Sequence, residues 1–180
     1  MTDMKLLIHA CCAPCLTYTY EHFKKIADKI SVYWFNPNIH PFKEYENRLH
    51  AIVKYQDKVE ADIIYNDNYD LEKFLECALK TEPRCEYCYR LRLAKTVETA
   101  QKNGFDAFTT TLTLSPYQDH SLIKKIGDQE SDRYDVRFIY EDLTDGFYKS
   151  NDMADKMGLY KQGYCGCIFS ERDRYEKDII

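Results

Sequence analysis

The strongest constraint on this chain is an alternation of short apolar runs with longer stretches of helical spacing. Lys5-Leu-Leu-Ile-His-Ala10, Ser31-Val-Tyr-Trp-Phe35, Ala61-Asp-Ile-Ile-Tyr65, Phe105–Leu112 and Arg137-Phe-Ile-Tyr140 have the length and the aliphatic or aromatic content of buried strands. Between them, Leu16, Tyr20, Phe23 and Ile26 recur at helical spacing, with Pro14 suited to a first helical turn. A long amphipathic helix is predicted from about Phe42, carrying Tyr45, Leu49, Ile52 and Val59 inward. A short helix holds Leu71, Phe74 and Ala78. Another is predicted to open at Cys88 and stop at Asn103-Gly104, and one more surrounds Leu122 and Ile126.

Strands that alternate with helices imply an α/β fold: a mostly parallel sheet of about five strands with helices on both faces. With 180 residues and no internal repeat or linker, one domain spanning 1–180 is expected, its tail after Phe147 packing back as short helices. Charged residues at 31% and hydrophobic ones at 44% exclude long disordered stretches. No run approaches the roughly 18 apolar residues of a membrane span, and Met1-Thr2-Asp3-Met4-Lys5 has no targeting pattern. The expectation is a reducing, cytoplasmic setting with no membrane partner. A net charge of −5 argues against extended binding along a phosphate backbone, but not against a local basic face.

In such a compartment eight cysteines need a chemical explanation. They are grouped: Cys11, Cys12 and Cys15; Cys85 and Cys88; Cys165 and Cys167; with Cys77 alone. Ligands of open parallel sheets bind beyond the carboxyl ends of the strands, where Cys11 and Cys12 fall. Cys85-Glu-Tyr-Cys88 allows two sulfurs to face one metal, and a helix start there and at Cys12–Cys15 favours thiolates. Cys11, Cys12, Cys85 and Cys88 together supply the four thiolates of a [4Fe–4S] cluster or a Cys₄ zinc site. Placement at the ligand crevice favours iron–sulfur. In Cys165-Gly-Cys167 the glycine gives the backbone freedom for a small, labile disulfide ring, which suits a redox pair. The alternative is two more metal ligands or two ordinary thiols. Cys77 reads as core filler and His9 as a satisfied core histidine. Arg84, Arg90, Arg92 and Lys95 form a basic patch, with Arg172 and Arg174 near the tail, that reads equally as a phosphate contact or a solvated helix face. Most tyrosines read as packing residues. Tyr87, Tyr89, Tyr117 and Tyr164 lie beside the motifs, where a ring stacks on a base or donates a proton. Dinucleotide and P-loop motifs are missing.

His9-Ala-Cys-Cys-Ala-Pro-Cys15, Asn36-Pro-Asn-Ile-His-Pro41 with Glu44-Tyr45 and Arg48, Arg84-Cys-Glu-Tyr-Cys-Tyr89 with Arg92-Leu93, Phe108-Thr-Thr-Thr-Leu112 with Ser115-Pro116-Tyr117, and Tyr160-Lys-Gln-Gly-Tyr-Cys-Gly-Cys167 resemble, in order, the cobalamin-independent epoxyqueuosine reductases of the QueH type. The resemblance implies a fold of the HUP or PP-loop kind and reduction of the epoxide of epoxyqueuosine in a tRNA anticodon loop to give queuosine. It implies a [4Fe–4S] cluster on Cys11, Cys12, Cys85 and Cys88 and a redox-active pair at Cys165 and Cys167, and it leaves open whether Cys15, at a position that is Cys or Asp in the family, binds an adjacent mononuclear iron. Turning an epoxide into an alkene takes two electrons and two protons, so a low-potential donor of the flavodoxin or ferredoxin class is an expected partner. Asp119 and Tyr117 are the candidate proton donors. Two rival readings are a thiol–disulfide oxidoreductase, whose activity would survive loss of iron, and a zinc-tied nucleic-acid-binding module, which would be colourless.

Overall fold

The structure, a computed structural model, describes residues 3–178. Residues 1–2 and 179–180, the two ends of the expected domain 1–180, lie outside the described residues, as does the Met1-Thr2 part of the N-terminal reading. Five parallel strands form one sheet in the order β3-β2-β1-β4-β5. They are β1 (Lys5–His9), β2 (Lys29–Trp34), β3 (Asp62–Tyr65), β4 (Ala107–Thr110) and β5 (Arg137–Phe138). The helices are α1 (Ala13–Phe23), α2 (Phe42–Val59), α3 (Leu71–Leu79), α4 (Arg84–Lys102), α5 (His120–Tyr134), α6 (Phe147–Lys156) and α7 (Ile168–Tyr175). No helix among the described residues is long and apolar enough to cross a membrane.

Both faces of the sheet are covered, which is why β1 reads as a continuous apolar run and not as an alternation. Leu6 and Ile8 point to a core shared with Leu16 of α1, Ile52 and Tyr55 of α2, and Ala154 of α6. Leu7 points the other way, into a core with Leu93 and Val97 of α4 and Ile123 and Ile126 of α5. Strand order runs outward from β1 in one direction and from β4 in the other, so the switch point lies between these two neighbours. Cys11 follows the end of β1 and Thr111 follows the end of β4, at the same edge of that crevice.

Three boundaries differ from the expectation. The fourth strand ends at Thr110, whose hydroxyl accepts from the Leu112 amide at 3.2 Å and caps a short 3-10 turn, Thr111–Leu114. The fifth strand keeps only two residues. Helix α4 begins at Arg84, a turn earlier than Cys88, so both cysteines of the C-x-x-C lie in its opening turns. Cys77 is half-buried beside the Tyr87 hydroxyl, because α3 turns Phe74 and Ala78 into the protein instead.

Candidate active site

The end of β1 turns directly into α1, with Pro14 in the first helical turn. That turn makes three neighbouring cysteines converge: the sulfurs of Cys11, Cys12 and Cys15 lie within 4.8 Å of one another. Cys12 and Cys15 are buried and Cys11 is half-buried. Thr111, across the switch point, receives the Cys11 amide at 3.1 Å and donates its hydroxyl to the Cys11 sulfur at 3.3 Å. Hydrogen bonds from Cys12, Cys15 and Thr111, with the charge of Arg92, hold the Cys11 thiol well below its usual range. Cys12 and Cys15 move upward for the reciprocal reason: Cys12 donates to Cys11, Cys15 donates to both, and burial adds to the rise. Three converging sulfurs, one of them held low by the other two, form an arrangement that a metal ion completes by displacing the remaining protons.

Cys85 and Cys88 are not part of this triad. They stand on α4, where the charges of Cys165 and Cys167 reach both thiols. The expectation that a helix start lowers these thiols is not met. Burial pushes Cys88 up to about 12 against the opposing pull of Arg92, and Cys85 rises through desolvation and then through Cys165 and Cys167. Between the two cysteine groups sits Arg92, only 1% exposed, which donates from Nη2 to the Cys88 sulfur at 3.1 Å. The basic patch read from the sequence therefore dissolves. Arg92 is interior, Arg90 pairs with Glu130 and Glu86, Lys95 pairs with Glu98, and Arg84 lies over the Phe169 ring at 4.5 Å. Toward the tail, Arg172 pairs with Asp173 while Arg174 lines the central cavity.

The third cysteine group sits on an irregular strap, residues 160–167, that crosses the mouth of the crevice. The guanidinium of Arg48, 1% exposed, donates to the carbonyls of Tyr164 and Cys165, both at 2.9 Å, while its Nε pairs with Glu44 at 2.6 Å. Tyr160 donates to the other Glu44 oxygen, and Tyr164 donates to the His40 carbonyl. The His40 amide donates to the Gly166 carbonyl at 2.7 Å. Gly166 takes φ +151°, and a Cβ there would stand 3.3 Å from both Arg48 and Ile39, so only glycine lets the strap lie this close. Cys165 and Cys167 are free thiols. The Cys167 sulfur accepts from the Ser170 amide at 3.4 Å and caps α7, where the helix N-terminus favours negative charge. Cys165 meets the Gln118 side chain, itself held by the Tyr89 hydroxyl at 2.9 Å.

Strap and sheet enclose a cavity of about 660 Å³ lined by Cys11, Cys15, Tyr117, Gln118, Gln162 and Cys165, among others. Tyr117 is 81% exposed at its rim, edge-on to Phe147. Asp119 is used differently from the expected proton donor. Its carboxylate accepts from the Leu122 amide and the Ser121 hydroxyl to cap α5, and these bonds hold it below the usual carboxylate range. His9 is fully buried between Thr110 and the Phe35 carbonyl, and burial lowers it to about 4, as a packed neutral histidine.

Arg48, Arg92, Gln118 and Gln162 are the polar side chains the cysteine pattern did not single out. For Arg92 a signal existed: Cys85, Cys88 and Arg92 stand at i, i+3 and i+7, one face of one helix. For Gln118 and Gln162, which meet the sulfurs across distances of 47 and 150 residues, no local signal exists.

At the switch point of this parallel α/β sheet, a thiol triad shares a cavity with Cys165 of a second cysteine pair. The sequence model of the family described as "Epoxyqueuosine reductase QueH" matches residues 6–173. The chain is 35% identical to the epoxyqueuosine reductase QueH of Dehalococcoides mccartyi, covering 96% of each protein. To that of Thermotoga maritima it is 33% identical, covering 96% of this chain and 93% of the relative. It belongs to the QueH family of epoxyqueuosine reductases. Two solved structures share the fold at low identity. One is a predicted tRNA methyltransferase subunit from Methanocaldococcus jannaschii, with TM-score 0.53, 12% identity, and coverage of 84% of this chain and 74% of that one. The other is the U34-tRNA thiolase NcsA from Methanococcus maripaludis with its [4Fe–4S] cluster, with TM-score 0.57, 13% identity, and coverage of 99% and 68%.

Proposed function

We propose that this protein reduces the epoxide of epoxyqueuosine in a tRNA anticodon loop to the alkene of queuosine, in the cytoplasm, using an iron–sulfur centre and the Cys165/Cys167 pair. The observation that carries this reading is that Cys11 and Cys15 from the turn between β1 and α1 and Cys165 from the strap all open into one cavity. Its volume suits one extruded nucleoside.

The residues fit a thiolate-bound metal. Three thiols already converge, a buried guanidinium stands among the cysteines, and the Oε1 of Gln162 is buried without a partner next to Cys12. Cys11 and Cys12, with Cys85 and Cys88, are the ligands we assign to a [4Fe–4S] cluster, and Cys15 is the residue we assign to an adjacent mononuclear iron. Such a centre, when bound, supplies single electrons at low potential.

The reaction breaks both C–O bonds of the epoxide and forms one C=C bond. Two electrons enter, and oxygen leaves as water with two protons. Cys165 and Cys167 release two electrons and two protons on closing to a disulfide, which matches that stoichiometry. Gln118 orients Cys165 toward the cavity, and Tyr117 at the rim offers a face on which a base of a single-stranded loop stacks, as well as a hydroxyl within reach of the cavity. Each cycle then needs reduction of the pair by a low-potential donor of the flavodoxin or ferredoxin class. Few phosphate contacts are needed for one base in a loop, which is compatible with a net charge of −5.

The test is anaerobic incubation of the reconstituted protein with epoxyqueuosine-containing tRNA and a low-potential reductant, followed by nucleoside mass analysis. The expected outcome is a mass lower by one oxygen, dependent on iron and sulfide. Unchanged nucleoside from a fully loaded protein overturns the substrate assignment, and turnover that persists without iron favours a plain thiol–disulfide oxidoreductase.

A further inference from the structure

Two arginines of this protein are almost wholly buried, and their surroundings differ. Arg48 has a carboxylate, Glu44, at 2.6 Å, a full ion pair within α2, although Cys12 and Cys11 also act on it. Arg92 has none. Its Nη2 donates to the Cys88 sulfur at 3.1 Å, its Nε to the Cys88 carbonyl at 3.3 Å, and the Tyr89 ring lies 5.8 Å from the guanidinium carbon. Among the described residues no carboxylate comes within 4.0 Å of it. The groups whose ionised forms would interact with it are Cys88, Cys165, Cys11 and Tyr89. A guanidinium does not give up its proton inside a protein, and a lone buried cation is strongly disfavoured. With a sulfur at hydrogen-bond distance and no carboxylate within 4.0 Å, the negative charge that makes this burial tolerable has to come from the cysteines around it.

We propose that Arg92 is the fixed counter-charge of the thiolate-bound metal centre, a positioning residue that sets its reduction potential. The proposal rests on the iron–sulfur assignment made above. Each added electron makes the centre more negative, and a positive charge held at sulfur-bonding distance favours that state. Thr111 and Gln162 also donate to cysteine sulfurs, at 3.3 and 3.0 Å, but as neutral groups they add no net charge. Arg92 is the member of this set with the larger electrostatic effect. Its burial also separates it from the tRNA-binding role suggested by its place in a basic run of sequence.

The experiment compares wild type, Arg92→Met and Arg92→Lys after anaerobic reconstitution with iron and sulfide. Iron and sulfide content, visible absorbance and the midpoint potential from a redox titration are measured, with far-UV circular dichroism to establish folding. Arg92→Met is expected to disfavour reduction at least about tenfold, a shift of about 59 mV toward negative values for a one-electron couple. Arg92→Lys, which keeps the charge and loses the fork, is expected to fall between the two. If Arg92→Met folds but no longer retains the metal while Arg92→Lys does, the counter-charge role is supported in its extreme form. If Arg92→Met fails to fold, the charge-removing Arg92→Gln takes its place: a negative shift supports the proposal and the wild-type potential overturns it. Both variants loading fully at the wild-type potential overturns it as well. A wild-type protein that takes up no iron and sulfide instead removes the assignment on which the proposal stands.

Discussion

The two thiol-bearing parts of the cavity are built in opposite ways. The triad of Cys11, Cys12 and Cys15 hangs from the central strand and a helix start, with its backbone fixed by the sheet and by α1. Cys165 and Cys167 lie on an irregular strap, fastened by the Arg48 and Glu44 side chains of α2 and by the backbone of His40 in the loop before it. Regular structure suits metal ligands, which must be held in one geometry. A strap tied by a few hydrogen bonds would suit the change between thiol and disulfide proposed for Cys165 and Cys167. The rigid half shows its purpose in local sequence, while the fastened half depends on residues more than 100 positions away.

The comparison is broken most severely by Cys11→Ser. Removing the one thiol held low by its neighbours is expected to lower metal retention by more than the roughly 10–100-fold that follows loss of an outer-shell partner. Iron and sulfide analysis after reconstitution checks this. Cys165→Ser is expected to leave iron content at the wild-type value while abolishing epoxide reduction. A drop in metal content in that variant would merge the two regions into one ligand set. Arg48→Ala leaves the Glu44 carboxylate buried without its partner and unties both strap carbonyls. The expected cost is about 3–5 kcal/mol in urea unfolding, with new proteolytic cleavage within residues 160–167. Arg48→Lys should recover only part of this, since an ammonium does not reproduce the fork.

The smallest effect is on pH dependence. His40 is packed against the Phe74 ring at 5.1 Å, and burial lowers it to about 4 from an ordinary 6.5. Between those values the unfolded chain takes up a proton that the folded protein does not. Stability therefore falls as pH drops from 6.5 toward 4, by up to about 1.4 kcal/mol per pH unit from this group, and levels off below. His40→Gln is expected to flatten that limb in a series of urea midpoints. An unchanged slope would mean that the strap's anchor does not titrate with folding.

Much of the fold was legible because strands covered on both faces read as apolar runs, whatever their neighbours. Errors occurred where a local pattern met a tertiary demand. Thr109 to Thr111 looked like strand continuation, yet the Thr110 hydroxyl caps a turn. Asp119 looked like an acid near the site, yet its carboxylate is spent on α5. Arg92 looked like part of a basic patch, read equally as a phosphate contact or a solvated helix face, because sequence proximity to Arg90 says nothing about which side of α4 each occupies.

By itself, the sequence determined the alternation that makes a parallel sheet, the grouping of the cysteines, and a family likeness carried by motifs in order. Periodicity and spacing are properties of neighbours along the chain. Only the tertiary structure decided that β1 and β4 flank the switch point, that Cys15 joins Cys11 and Cys12, and that Cys85 and Cys88 face the strap. It alone gave two buried arginines different counter-charges, a carboxylate for Arg48 and sulfur for Arg92. Strand order and burial arise from contacts across the whole chain, and the charge of a buried group is answered by whatever the fold brings within a few ångströms of it.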